Sequence, residues 1–333
     1  MTTERLATKP VEAAPKTRRR RFSLGVGAHF FGIGAFYILL IVFFSITSDN
    51  FFTYSNSLNI LSNITVLGIV ALGQTLAIVS GGFDLSVSGT VPLGAVAFVL
   101  ISNAGFPTPV AILLVLLIGA GIGLANGLIV TRIGISPLIA TLGMLSITAG
   151  LAYTLSSGVT VPMKNFDAAI LADQTVGGIS WYVIVFLLLC IVIALAMRFT
   201  VFGRMLYAIG GNRDASRLAG IRVDTISTVI YMLCAALATF AGVVVSSQLF
   251  AGSATVGADA ALTSIAAVIL GGAALFGGVG GVGGTLLGVL VLGTIANGMA
   301  LMMVPAFYQQ IATGAILLIA VGLGRFRAMI AAN

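Results

Sequence analysis

Residues 109–131 read PVAILLVLLIGAGIGLANGLIVT, a run without any charged side chain in which Asn126 is the only amide side chain. An α-helix needs roughly 20 apolar residues to cross about 30 Å of hydrocarbon. The whole chain contains ten runs of this kind, at 30–47, 58–79, 86–103, 109–131, 137–156, 180–199, 224–247, 261–277, 284–303 and 307–324. The sequence therefore predicts an all-α polytopic membrane protein with about ten transmembrane helices.

The composition agrees with a membrane protein. Of the 333 residues, 59% are hydrophobic, only 8% are charged and 42 are glycine. Soluble domains are about 45–50% apolar and about 25% charged, so a single water-soluble core cannot absorb this composition. These figures exclude a secreted disulfide scaffold, a nucleic-acid-binding domain and a disordered chain, although the net charge of +7 could suggest an anionic partner.

The charge excess begins in a basic amino-terminal segment. Seven of the sixteen Lys/Arg residues precede position 22, and four of them form the run RRRR at 18–21. Such a run can also mark nuclear import or a nucleic-acid patch, but the apolar span 30–47 follows closely and favours a topology signal. We expect residues 1–28 to form a disordered basic cytoplasmic tail and residues 29–333 to form the transmembrane domain. No cleavable signal peptide is expected, because 30–47 is longer than an ordinary signal core.

The remaining basic residues predict the topology. With both termini in the cytoplasm, ten crossings place fifteen of the sixteen Lys/Arg residues on the cytoplasmic side and leave only Lys164 outside. This asymmetry is the usual one for membrane proteins. The longest internal connection, 199–223, is rich in arginine and contains glycine pairs. An ordinary turn takes about two to six residues, so this segment is either a disordered loop or a small element with a task.

A short pattern occurs twice in the chain. ANG at 125–127 is followed by IATLG at 139–143, and ANG at 296–298 is followed by IATG at 311–314. The copies lie five predicted spans apart, and this odd number gives them inverted topology, as in many transporters. Chance is the alternative, because the chain is rich in alanine and glycine. We expect an inverted internal repeat, with the substrate path along the interface between its copies.

Five polar residues at or near membrane depth are candidates for a translocation pathway: Gln74, Asp84, Asn126, Gln248 and Asn297. Polar groups in a membrane are expensive unless they meet partners or water. For the amides, a hydrogen bond between helices is as good an interpretation as contact with substrate. Asp84 follows Gly81 and Gly82, which permit an interrupted helix, and it could act as a proton or ion relay, a gate or a helix cap. We favour the cap or the gate.

No pattern points to catalysis by this chain. The sequence lacks a G-x-x-x-x-G-K-[ST] phosphate loop, an H-E-x-x-H metal motif and paired carboxylates. The glycine-rich stretch 271–284 has no lysine, so it predicts a tight connection between helices and not a nucleotide site. Cys190 and Cys234 lie inside predicted spans and are interpreted as packing residues. We expect no cofactor on this chain, so active transport would draw on an ion gradient or on another chain.

Several motifs resemble one transporter family. The internal connection contains GRMLYAIGGN at 203–212, followed by Ala215, Leu218, Ala219, Gly220 and Ile221. It resembles the cytoplasmic coupling segment of bacterial ABC sugar-importer permeases of the ribose/xylose/galactose type. GGFDLSV at 81–87, PLIATLG at 137–143 and IAAV at 265–268 agree, and the similarity covers about 55–324. Ser88 departs from the usual glycine and Ser216 from the usual alanine.

The resemblance implies a division of labour among several chains. A permease of this family pairs with a second copy or a homologue in the bacterial cytoplasmic (inner) membrane. It binds a cytoplasmic ABC ATPase, which holds ATP and Mg, and it receives a monosaccharide from an extracytoplasmic binding protein. Besides these proteins it contacts membrane lipid, and no nucleic acid is implied. Within 199–223, the implied coupling residues are Gly203, Arg204, Gly210, Gly211, Asn212, Arg213, Ala215 and Gly220.

Other functions stay open at the level of sequence. An ion-coupled secondary transporter of a small polar solute would use Asp84 as its coupling carboxylate. An ABC permease for a branched-chain amino acid or a nucleoside would share most of the same motifs. An intramembrane enzyme would need a polar catalytic pair at membrane depth, and the sequence offers none. The scarcity of membrane-depth charges weakly favours a neutral polar solute.

Overall fold

The computed structural model describes residues 21–175, 177–305, 307–312, 314–315 and 318. The described residues are mainly α-helical, and two short strands pair with each other. The helices are α1 (Arg21–Thr47), α2 (Tyr54–Val79), α3 (Val87–Asn103), α4 (Thr108–Leu128), α5 (Pro137–Ser156), α6 (Trp181–Phe199), α7 (Val201–Gly211), α8 (Arg213–Leu218), α9 (Val223–Leu249), α10 (Ala260–Leu270) and α11 (Val282–Leu301). The strands are β1 (Val161–Pro162) and β2 (Ala251–Gly252).

Six helices are long and apolar enough to cross a membrane. They are α2, α4 with its π-helical continuation Ile129–Ile133, α5, α6, α9 and α11. The apolar part of α1, Phe31–Thr47, and α3 are shorter. Half of the predicted span 307–324 lies outside the described residues. The all-α polytopic class is confirmed, and the count of ten spans stays a prediction.

Two boundaries differ from the sequence-based expectation. The predicted continuous span 261–277 is wrong, because α10 ends at Leu270 and a glycine-rich connection follows. With about 1.5 Å of rise per residue, this 11-residue helix is about 16 Å long, half the hydrocarbon thickness. Positive φ angles at Gly272 and Gly277 (92° and 89°) cannot continue a helix. At the other end of the chain, α1 begins at Arg21, inside the segment 1–28 predicted as a disordered tail.

The bundle is organised around α2 and α9, which pack against each other. α9 also packs against α3 and α4, and α2 packs against α10 and α11. Glycines bring these backbones close together. A Cβ atom added at Gly123 of α4 would lie 2.2 Å from the carbonyl oxygen of Tyr231 in α9, and one at Gly73 of α2 would lie 3.0 Å from the Cα atom of Cys234. Cys190 and Cys234 are both buried and free, as expected for packing residues.

The end of the bundle opposite α7 and α8 is closed by its connections. β1 and β2 form an antiparallel pair, in which Val161 lies opposite Gly252. Asn103 at the end of α3 donates from Nδ2 to the carbonyl of Pro162 (3.0 Å) and accepts from the backbone N–H of Lys164 (2.8 Å). The connection after α5 is therefore fixed both to the end of α3 and to the connection after α9.

Candidate functional site

Three of the five predicted pathway residues meet at the connection between α2 and α3. The amide of Gln74 pairs with the backbone of Asp84: Nε2 donates to the Asp84 carbonyl, and Oε1 accepts from the Asp84 N–H at 3.2 Å. Backbone groups buried away from water need hydrogen-bond partners. The Gln74 side chain supplies these partners at a point where the helix is interrupted, so the chain can break here inside the protein.

The Asp84 carboxylate organises the start of α3. Its Oδ1 atom accepts from the backbone N–H of Ser86 (2.9 Å) and from the Ser86 hydroxyl (2.5 Å). Asn126 of α4 donates from Nδ2 to the Ser86 hydroxyl at 2.9 Å and to Asp84 Oδ1 at 3.4 Å. All three residues are fully buried. A carboxylate that receives hydrogen bonds just before a helix stabilises the positive end of that helix. The cap predicted at Asp84 is therefore the turn that this carboxylate closes just before α3, while the N-cap residue itself is Ser86 and makes no side-chain cap bond. The choice between this cap and a relay stays a prediction.

Tyr231 of α9 completes this buried polar group, and sequence reasoning missed it. A Cβ atom added at Gly82 would lie 3.1 Å from the Tyr231 hydroxyl, so this hydroxyl lies directly against the α2–α3 connection. The Tyr231 hydroxyl, Asp84 Oδ2 and Asn126 Oδ1 are buried without a hydrogen-bond partner among the described residues. A tyrosine in an apolar run has no sequence feature that separates a polar role from packing, which is why the pattern did not reveal it.

The other two pathway candidates lie elsewhere. Gln248 of α9 donates from Nε2 to the carbonyl of Ser62 (3.4 Å), and Asn297 of α11 donates from Nδ2 to Oδ1 of Asn56 (3.0 Å). Asn56 in turn donates to the carbonyl of Phe51 at 2.9 Å. Both candidates contact the first half of α2, away from Asp84. Their geometry is that of hydrogen bonds between helices, the alternative that the sequence left open.

The internal connection 199–223 contains two helices, α7 and α8. Thr200 caps α7, because its hydroxyl accepts from the N–H of Gly203 (3.3 Å). Asn212 caps α8, because its Oδ1 accepts from the N–H of Ala215 (2.9 Å). Gly220 has a φ of +83°, which allows the turn into α9. Of the two alternatives for this segment, the structured element is confirmed.

Helix α8 is held against the start of α9 by charged side chains. The Oδ1 atom of Asp224 in α9 accepts from Nη2 of Arg217 at 2.7 Å and lies 3.8 Å from Nη2 of Arg213. Arg213 also donates to the hydroxyl of Ser227 at 3.4 Å. The exposed face of α8 presents Leu218, whose surface is 91% accessible. Arg217, through the shorter contact, and Arg213 therefore connect α8 to α9, and the apolar side chain of Leu218 projects from the end of α8.

The end of α7 is packed into a contact of glycines from three segments, which we call the glycine junction: Gly81, Gly210, Gly277 and Gly278. The N–H of Gly278 donates to the carbonyl of Val79 at 2.9 Å. A Cβ atom added at Gly210 would lie 1.9 Å from the Val79 oxygen and 2.5 Å from the Gly278 nitrogen. One added at Gly277 would lie 2.8 Å from the oxygen of Gly210 and 2.8 Å from the Cα of Gly81. Helix α7 thus contacts both interrupted segments, 80–86 and 271–281, through backbone atoms.

Two further contacts fix α7. A Cβ atom added at Gly203 would lie 2.0 Å from the carbonyl oxygen of Met197, so a glycine is needed at the sharp corner between α6 and α7. The hydroxyl of Tyr207 donates to the carbonyl of Gly280 at 2.8 Å. Burial raises the pKa of the Tyr207 phenol above its ordinary value, so the hydroxyl keeps its proton and remains a donor at neutral pH. Arg204 is exposed on α7, and Gly211 has no atom within 4 Å of an added Cβ.

Comparison with known proteins gives consistent matches. The chain matches the family described as Branched-chain amino acid transport system / permease component over residues 56–321. Ribose import permease protein RbsC of Bacillus subtilis is 36% identical over 295 residues, which cover 88% of this chain and 91% of that protein. L-arabinose ABC transporter permease protein AraH of Azospirillum brasilense is 33% identical over 296 residues, which cover 89% of this chain and 87% of that protein. No solved structure matches the chain.

The family match covers the segments that form the candidate site. It spans the α2–α3 connection, the internal helices α7 and α8 and the glycine-rich connection before α11. The motifs at 81–87, 137–143 and 203–212 lie inside the matched range, and the resemblance inferred from them is confirmed. The chain therefore belongs to the branched-chain amino acid transport system / permease component family, as a multi-pass membrane permease whose relatives include ribose and L-arabinose permeases.

Proposed function

We propose that this chain is the membrane subunit of an ABC importer that carries a monosaccharide across the bacterial cytoplasmic membrane. The observation that carries the proposal is the placement of α7 and α8. They form an exposed element at one end of the bundle, and α7 contacts both interrupted segments through the glycine junction. A partner that moves α7 would therefore act on both segments together. The ribose and arabinose permeases among the relatives support a monosaccharide as the substrate.

Energy would come from a separate cytoplasmic ATPase that binds ATP and Mg. Two permease copies, or this chain and a homologue, would enclose the sugar path, and an extracytoplasmic binding protein would deliver the sugar. We further propose ten spans with both termini in the cytoplasm and an inverted repeat. The reciprocal packing of α9 on α3 and α4 and of α2 on α10 and α11 supports this repeat, because helices five spans apart exchange roles.

The coupling residues divide by role in this proposal. Gly203 and Gly210 permit close approach of α7 to its neighbours, Asn212 caps α8, and Arg213 helps Arg217 to hold α8 against α9. Gln74, Asp84 and Asn126 would maintain the interrupted segment that α7 contacts. The buried oxygen atoms of this group without partners could receive hydroxyl groups or water when the segment moves. Gln248 and Asn297 would contribute mainly to the packing of α2.

The proposal is tested by purifying the chain in mild detergent from cells that express its neighbouring partners. We expect an ATPase to co-purify, and we expect its ATP hydrolysis to rise when a binding protein loaded with ribose or L-arabinose is added. Leucine delivered on its own binding protein is the arm for a branched-chain amino acid permease. Stimulation by leucine alone would assign that substrate class instead, and failure of any ATPase to co-purify would contradict the proposal.

Replacing Leu218 with aspartate should weaken binding of the ATPase. Leu218 is almost fully exposed on α8, so its removal does not disturb the fold, while an apolar contact buried by a partner is worth about 1.5–3 kcal/mol. We expect at least about a tenfold loss of co-purified ATPase. Thr225→Asp, at an exposed position in the first turn of α9, is the matched control and should bind normally. Equal binding by both variants would remove Leu218 from the interface.

A further inference from the structure

A cleft of about 420 Å³ lies where the end of α6, the beginning of α7 and the beginning of α11 meet. Its polar lining comes from Arg198, Arg204, Tyr207 and the backbone at 281–283. Arg204 is also one of the implied coupling residues, but the roles proposed above for the coupling residues assign no ligand to this cleft. Tyr207 directs its hydroxyl to the carbonyl of Gly280, so the two arginines are the side chains left to hydrogen-bond a ligand. The Arg198 guanidinium also lies over the ring of Phe199, with Cζ 5.2 Å from its centroid.

The charge of the cleft is positive and unbalanced. Neither Arg198 nor Arg204 forms an ion pair with any residue that the structure describes. The acidic residue Asp224 is already engaged by Arg217 and Arg213 of α8. No side chain caps the start of α11 at Gly281, so the first N–H groups of that helix add to the positive potential. Two guanidinium groups next to the positive end of a helix are suited to binding a phosphate or carboxylate group.

An apolar surface of α6 ends beside Arg198, which lines the cleft together with Ala194 and Met197 of the same helix. Leu188, Ile191, Leu195 and Phe199 are each at least half exposed. Their spacing of three, four and four residues places them on one face of the helix, and Arg198 is three residues beyond Leu195 on that face. An acyl chain can lie along this row while its head group reaches the arginines. A free anion would gain nothing from the apolar row.

We propose that the cleft binds the phosphate group of an anionic phospholipid in the leaflet that faces α7 and α8. Basic pockets between helices at the cytoplasmic side of a membrane are suited to such head groups. The bound lipid would lie between α7, which carries Arg204, and the first turn of α11. It would thereby brace the coupling helix against the connection 271–281, in addition to the contact between Tyr207 and Gly280.

The test measures lipid retention on the purified full-length chain by native mass spectrometry, with phosphatidylglycerol or phosphatidylethanolamine added to the detergent. We expect preferential retention of phosphatidylglycerol. Arg198→Gln should lower this retention about fivefold, and Arg198→Gln combined with Arg204→Gln about twentyfold or more. Arg198→Lys keeps the charge and should keep most of the retention, which separates lost attraction from misfolding. Arg132→Gln, at an exposed arginine on the π-helical turn after α4, is the control and should behave as the wild type.

Three results would overturn the inference. The first is equal retention of phosphatidylglycerol by the wild type and both glutamine variants. The second is complete displacement of the lipid by millimolar inorganic phosphate, which would assign the cleft to a free anion. The third is normal lipid retention by Arg198→Gln together with a loss of co-purified ATPase, which would assign the cleft to protein docking. Lipid retention is measured without ATPase or sugar, and ATPase co-purification is measured separately for the wild type and Arg198→Gln, so a failure of lipid retention leaves the proposed transport function untouched.

Discussion

Replacing Gly210 with alanine is expected to lower ATP-dependent uptake about tenfold or more, while ATP hydrolysis by the partner continues. The added methyl group would lie 1.9 Å from the Val79 oxygen and 2.5 Å from the Gly278 nitrogen, both of which are backbone atoms. Neither atom can rotate away as a side chain does. The end of α7 must therefore separate from α2 and from the connection before α11, and the movement of the ATPase would no longer reach them.

Gly211→Ala provides the matched steric comparison one residue further along α7, at an implied coupling residue whose Cβ position is open. No atom lies within 4 Å of the Cβ position at Gly211, so alanine fits there and raises helix propensity by up to about 1 kcal/mol. The measurement is the number of sugar molecules taken up per ATP hydrolysed, in vesicles with equal amounts of each variant. We expect this ratio to fall for Gly210→Ala and to stay near the wild-type value for Gly211→Ala. A normal ratio for Gly210→Ala would show that the glycine junction does not couple ATP hydrolysis to sugar uptake.

Replacing Asp84 with alanine is expected to destabilise the protein by about 2–4 kcal/mol and to abolish uptake. The substitution removes the acceptor for the N–H and the hydroxyl of Ser86 and for the amide of Asn126. The Ser86 N–H and hydroxyl are fully buried, and each one left without a partner costs about 1–3 kcal/mol, whereas the Asn126 amide keeps its bond to the Ser86 hydroxyl at 2.9 Å. A lower midpoint of thermal unfolding in detergent is the direct measurement.

Asp84→Asn distinguishes the cap from a proton or ion relay. The asparagine keeps a carbonyl oxygen in the place of Oδ1, so the bonds from Ser86 and Asn126 survive while the ionisable group is lost. If Asp84 caps α3, this variant should retain most of the stability and at least about half of the uptake. If Asp84 relays protons, uptake should disappear although the fold is intact. That second outcome would support the ion-coupled alternative and contradict the cap interpretation.

Apolar patterning was sufficient for the class of fold and for most helices, because burial in lipid requires long uninterrupted runs. It failed at 261–277, where glycine and alanine keep the hydropathy high although the backbone leaves the helix at Gly271. Hydropathy measures transfer to lipid, whereas the helix end depends on backbone angles and on contacts with Val79 and Gly210, which are distant in sequence. The interruption was visible only as a run of glycines.

The candidate site was predictable in part. A carboxylate after two glycines in an apolar chain identified Asp84 as a candidate. The cost of burying amide side chains identified Gln74 and Asn126 as further candidates. The same argument selected Gln248 and Asn297, but each of these forms its own hydrogen bond to α2, away from Asp84. Sequence alone does not show which buried amides meet each other, because that depends on the register between helices. The same limit concealed Tyr231 and the different surroundings of Gly210 and Gly211.

The central claim is that this chain transports sugar only as part of an ATP-driven complex. The most direct measurement is uptake of labelled ribose or L-arabinose into vesicles that contain the permease and its ATPase, with the loaded binding protein outside. We predict uptake that requires ATP inside the vesicles and the binding protein outside, and no uptake by the permease alone under a proton gradient. Uptake driven by a proton gradient in vesicles that contain this chain alone would contradict the account.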